Sequence, residues 1–111
     1  MEREIIILNK LVKILLTKTE CGINVLIAGG DFAHIGAVSI VDLQGEIFTK
    51  TFEGHKDHFV SEEWAEKLYE KFQAPVVVSA GIHYDNIDST GIEIVISEMK
   101  KALDEVLKKL D

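Results

Sequence analysis

The chain has 111 residues, 47% hydrophobic and 28% charged, with one proline, eight glycines and one cysteine. This describes one folded domain spanning residues 1–111 and excludes a disordered tail, a collagen repeat and a disulfide scaffold. Twelve basic against nineteen acidic residues leave a net charge of −7, which argues against nucleic acid and anionic membranes as partners, because counterion release needs clustered Lys and Arg.

Residues 4–18 are rich in Ile, Leu and Val, which suit one long strand or two short ones. Ile6, Leu8, Val12, Ile14 and Leu16 fall on one face at period two, with Lys10 the exception. No apolar stretch approaches the ~20 residues of a bilayer span. The flank Glu2-Arg3-Glu4 does not suit a signal peptide. The lone Cys21 fits a reducing compartment, and a cytoplasmic protein is expected.

A turn at Glu20-Cys21-Gly22 predicts a hairpin into a strand over Ile23–Ala28. Gly29-Gly30-Asp31 breaks that strand, Ile35–Asp42 resumes it, and Leu43-Gln44-Gly45 turns into a strand over Glu46–Phe52. Short turns make antiparallel pairing the economical arrangement.

Ser61 reads as a helix cap, followed by Glu62 and Glu63 in a favourable first turn. Trp64, Leu68 and Phe72 then mark the buried stripe, with Glu63 and Lys67 paired on the wet face. Val76-Val77-Val78 reads as a central strand buried on both faces. A final helix from about Gly91 to Lys109 carries Ile92, Val95, Ile96, Met99, Leu103, Val106 and Leu110 on one stripe. Asp104 with Lys108 and Glu105 with Lys109 are spaced for ion pairs. The fold class is α+β: one domain ordered β-β-β-β-α-β-α, with a mixed, mainly antiparallel sheet and its helices on one face.

The chemistry-bearing residues gather in three loops: Gly29 to Gly36, Gly54 to His58, and Gly81 to Asn86. All four histidines lie there, with Asp31, Asp57 and Asp85, and loops on a rigid scaffold are where binding groups usually sit. Several readings stay open. His55 and His58 could clamp a metal, or be solvated loop residues. Gly29-Gly30 could present N–H groups to a phosphate with Lys56 supplying charge, or simply reverse the chain. The loop fits neither phosphate-binding fingerprint. His83 beside Asp85 could be an oriented acid or base, or part of an Asx turn with Asn86. Gly36 inside a strand marks a bulge or a close backbone approach. Ser39 and Ser79 have no sequence-local base, and Cys21 is remote in sequence from every histidine.

Gly29-Gly30-Asp31-x-x-His34-Ile35-Gly36-Ala37-Val38, then Gly54-His55-Lys56, then Val77–Gly81 with Ile82-His83-Tyr84-Asp85-Asn86-Ile87 resemble a family of small proteins described as prenylated-flavin-chaperone-like. They are the D-type accessory subunits that accompany gallate- and vanillate-type decarboxylases of the UbiD type. The resemblance spans about residues 25–96. Ala33 stands where many relatives are expected to carry proline, and the first 24 residues hold no motif of the family.

The resemblance implies a fold similar to that of proteasome-assembly chaperones and a cytoplasmic homodimer. It also implies a partner that is a UbiD-type decarboxylase or a flavin prenyltransferase, and prenylated FMN or FMN as bound cargo. Gly29 and Gly30 would then approach the phosphate with Lys56. His34, His55 and His83 would donate hydrogen bonds, and Tyr84 would pack on the flavin ring. Asp31, Gly36, Asp85 and Asn86 complete the expected cofactor-binding set, with no catalytic residue and no metal. Two alternatives stand beside this accessory role. One is an assembly module without a small-molecule ligand. The other is a small metal-assisted enzyme using His34, His55, His58 and His83 with Asp31, Asp57 or Asp85.

Overall fold

A computed structural model describes residues 1–52 and 57–110. Six strands, β1 (Glu2–Ile7), β2 (Lys10–Thr19), β3 (Gly22–Gly30), β4 (Phe32–Val41), β5 (Ile47–Thr51) and β6 (Val76–His83), form one sheet with α1 (Asp57–Phe72) and α2 (Ser89–Lys109). The sheet order is β1-β2-β3-β6-β4-β5. Only the β3–β6 pair is parallel. The expected class of one α+β domain with a mixed, mainly antiparallel sheet holds.

Residues 4–18 divide into two strands at Leu8 and Asn9, both in the left-handed region (φ 49° and 70°), as a two-residue hairpin turn requires. Here the expected facing fails for β1. Val12, Ile14 and Leu16 are buried, but Ile7 is buried in place of Ile6, which is 66% exposed. The register explains it. Val12 pairs with Ile5 and Leu11 with Ile6, so even positions on β2 share a face with odd positions on β1.

β3 and β4 are not neighbours in the sheet, although a single residue, Asp31, links them. β6 inserts between them, parallel to β3 and antiparallel to β4. Its central placement agrees with the apolar run at Val76–Val78. Burial on both faces does not: Val76, Val78 and Ala80 are fully buried, while Val77 and Ser79 are half-buried. The helices cover one face only.

The core lies between that face and the helices, where Trp64, Leu68, Met99, Leu103 and Val106 meet Ile14, Val25, Ile27 and Val78. Trp64 Nε1 donates to the carbonyl of Met99 (3.2 Å), fixing α1 against α2. Burying each large side chain contributes about 1.5–3 kcal/mol.

Ser61 is not the cap of α1. The helix starts at Asp57, and Ser61 lies inside it, fully buried, 2.7 Å from the Ser39 hydroxyl on β4. A buried hydroxyl needs such a partner, and only the fold brings Ser39 there. α2 is capped by Asp88, whose side chain accepts from the Gly91 amide (2.8 Å). Other pairs replace the anticipated ones: two cross between elements and one lies within α1 at i,i+3. Glu63 meets Lys100 at 3.5 Å, Lys67 meets Glu70 at 3.7 Å, and Glu105 meets Arg3 at 2.9 Å.

Candidate functional site

The ends of β3, β4 and β6 converge at one end of the sheet. Gly30 pairs with His83 on one side of β6 and Phe32 pairs with His83 on the other. Residues 30–32 therefore arch over the end of β6, tied by the Asp31 amide donating to the His83 carbonyl (2.6 Å). Gly30 has φ +89°, and a Cβ there would overlap the His83 carbonyl oxygen. The first and third polar loops are thus one structure.

β4 carries an irregularity between Ala33 and Ala37: these pair with Ile82 and Ala80, leaving His34, Ile35 and Gly36 opposite Gly81 alone. This is a bulge, and bulges re-aim side chains. His34 comes within 3.3 Å (Nε2) of Asp57 Oδ2 at the start of α1. The other oxygen, Oδ1, accepts from the Ile82 amide (3.0 Å). A single buried carboxylate therefore joins the bulge, β6 and α1. Gly36 is both a bulge residue and a close approach, since a Cβ there would overlap Asp57 Oδ2.

These groups stand at one end of a cavity of about 300 Å³. His34, Asp57, His83 and Tyr84 line it with Val60, Ile82, Ile87, Ile92, Val95 and Ile96. Its walls are aliphatic and its polar groups few, the usual build of a small-molecule site. Phe32 stacks on His83 with centroids 4.4 Å apart, and His34 meets His83 edge-on at 6.2 Å. His83 Nε2 is also 2.9 Å from Asp85 Oδ1. His34 Nδ1 is buried and has no hydrogen-bond partner among the described residues.

Around this core, Asp31 takes the Asp85 amide on Oδ2 (2.7 Å) and Lys10 beside Oδ1 (3.4 Å). The hydrogen bond from the Asp85 amide, helped by Lys10, holds the Asp31 carboxyl below its usual range. Asn86 adopts φ 56° in the turn that follows.

Tyr84, which the resemblance expects to pack on a flavin ring, is buried, donates its hydroxyl to the Ile7 carbonyl (2.5 Å) and lines the cavity. Burial pushes its phenol above the ordinary tyrosine range. Phe32, which packs on His83, is an exposed aromatic ring at this end (55% exposed).

Gly29 and Gly30 lie within β3 and border a shallow groove on the helix-free face with Leu11, Lys13 and Leu15, not the cavity. A Cβ on Gly29 would overlap the Leu11 carbonyl, so glycine there serves close strand approach. His55 and Lys56 lie outside the described residues. His58 packs on Phe59, with centroids 4.2 Å apart. Among the described residues no three His, Cys, Asp or Glu side chains converge as a metal set.

The residues that sequence reasoning left out of the binding set are Asp57, Phe32 and the cavity walls on α2. The signal for the walls was present: Ile92, Val95 and Ile96 begin the helical stripe of α2.

Residues 9–111 match the family model described as the prenylated flavin chaperone LpdD-like domain. The chain belongs to that family. The match runs from β2 through α2, well beyond the three motifs. No curated protein matches the chain. In fold it is similar to a chain of a crystal structure titled as a chaperone complex for yeast 20S proteasome assembly. The TM-score is 0.61 at 14% identity, over 100% of this chain and 96% of that one. That likeness, one of fold, agrees with the fold that the family resemblance implies. No helix among the described residues is long and apolar enough to cross a membrane.

Proposed function

We propose that this member of the prenylated flavin chaperone family binds prenylated FMN or FMN as cargo in the cavity at the end of β6 and passes it to a UbiD-type decarboxylase. The observation that carries the reading is the cavity itself. It is a largely aliphatic pocket lined also by His34, Asp57 and His83, in a chain whose family is described as prenylated flavin chaperone LpdD-like. Its chemistry suits a planar heterocycle: Val60, Ile92, Val95 and Ile96 supply apolar contact, and the two imidazoles supply polar partners for a ring edge.

A volume of about 300 Å³ stands at the low end of small-molecule sites, roughly 300–1,000 Å³. It suits the ring system more than the whole nucleotide. Among the described residues no Lys or Arg lines the cavity, and Lys56 is the residue proposed for the phosphate. The flavin is cargo, and no bond of it is made or broken by this chain. A cytoplasmic setting accords with the exposed, unpaired Cys21.

The test is titration of the purified chain with FMN and with prenylated FMN, beside a His34→Ala/His83→Ala double variant. Micromolar binding that the folded double variant loses supports a cofactor site. Absence of binding to folded wild-type protein overturns it in favour of an assembly module without a small-molecule ligand.

A further inference from the structure

Asp31 belongs to the expected binding set, yet it does not line the cavity. It is the single residue between β3 and β4, so its backbone is placed by two strands of the sheet. Its amide donates to the His83 carbonyl (2.6 Å), Oδ2 accepts from the Asp85 amide (2.7 Å), and Oδ1 lies 3.4 Å from Lys10 Nζ. One fixed residue thus grips both the last residue of β6 and the loop that follows it.

That loop has two anchored ends. Tyr84 is buried with its hydroxyl on the Ile7 carbonyl, and Asp88 caps α2. Between them, among the described residues, the backbone hydrogen bond that ties residues 85–87 to another element is the Asp85 amide on Asp31. The Asp85 side chain adds a contact to His83 (2.9 Å), on the strand end that Asp31 also holds. Ile87 then lines the cavity and lies against the first turn of α2, where a Cβ on Gly91 would overlap it.

We propose that residues 85–87 are the movable wall through which the cavity exchanges its contents, and that Asp31 is the positioning residue that latches this wall shut. Release of the Asp85 amide frees Ile87 to leave the cavity while Tyr84, the Asp88 cap and the core stay in place. Asp31 touches nothing inside the cavity, so its effect reaches the contents through the loop alone.

The energetics favour local opening here. A short segment with one backbone tie and exposed residues at Asp85 and Asn86 opens far more easily than the packed core. The tie is also a strong one, because a backbone amide donating to a carboxylate is a charge-assisted bond. Its loss is therefore felt in how often the wall opens. The latch governs access whatever the cavity holds, so it stands apart from the flavin reading.

In the full chain, Cys21→Ser removes the exposed thiol. Val95→Cys then places a thiol on the cavity wall, and Val25→Cys places one in the core away from the cavity. Iodoacetamide labelling followed against urea reads each opening, because the urea slope scales with the surface exposed. Val95→Cys should label faster than Val25→Cys and with a clearly shallower slope. Asp31→Ala should speed labelling at Val95→Cys about tenfold, as loss of a hydrogen bond to a charged group implies, without steepening that slope. Asp31→Asn keeps an acceptor for the Asp85 amide and should fall between, and it serves alone if Asp31→Ala fails to fold. A slope at Val95→Cys equal to that at Val25→Cys, or labelling at Val95→Cys indifferent to the residue at position 31, overturns the latch.

Discussion

The carboxylate of Asp57 fills the space that a side chain at position 36 would need, so Gly36 and Asp57 are mutually required. Through that contact the β4 bulge, the start of α1 and the Ile82 amide are held as one unit.

Gly36→Ala should force the Asp57 carboxylate off the Ile82 amide. Overpacking of this kind costs about 1–3 kcal/mol. Thermal unfolding should show a drop of roughly 4–8 °C per kcal/mol, and an unchanged melting temperature would refute the coupling.

Asp57→Ala and Asp57→Asn should separate charge from hydrogen bonding. Alanine leaves the part-buried Ile82 amide without its acceptor and should cost about 1–3 kcal/mol. Asparagine keeps an acceptor for that amide and should lose less than alanine. Urea denaturation of the two variants gives the comparison, and equal losses would show that the hydrogen bond to Ile82 contributes nothing.

Two groups set opposite pH limits. Asp31 has a depressed folded pKa, so its contribution is present above the ordinary carboxylate range (about 3.9) and lost as pH falls through the lower folded value. Asp31→Asn should flatten that acid limb in a stability–pH profile. Tyr84 has a raised folded pKa, so its contribution is present below about pH 10 and lost as pH rises through the higher folded value. Absorbance titration should show a late-ionising tyrosine that Tyr84→Phe removes. Its absence from the wild-type curve would place Tyr84 in contact with water.

Ile92→Trp should fill part of the cavity from α2 without touching the His34–Asp57 contact. On the flavin reading, FMN affinity falls at least about tenfold, or 1.4 kcal/mol, while the melting temperature holds within about 3 °C. Unaltered FMN binding by the variant would place the ligand elsewhere.

Period and composition were enough to announce the strands at residues 23–28 and 46–52, the apolar run of β6, and α2 with its stripe, because 2.0 and 3.6 periodicities are written in the order of residues. Of the three family motifs, two are brought together by the fold: residues 29–36 and 81–86 share one end of the sheet.

Neighbour relations were not legible. Nothing local in Gly29-Gly30-Asp31 says that β6, some fifty residues on, slots between β3 and β4, because a strand's own pattern fixes its faces and not its partners. The same holds for Ile6 and Ile7, whose facing depends on the parity of the β1–β2 register. It holds for Ser61, which became a buried helix residue once Ser39 reached its hydroxyl. It holds above all for Asp57. Its sequence position offers no hint that it joins His34 and Ile82, a relation created by long-range packing alone.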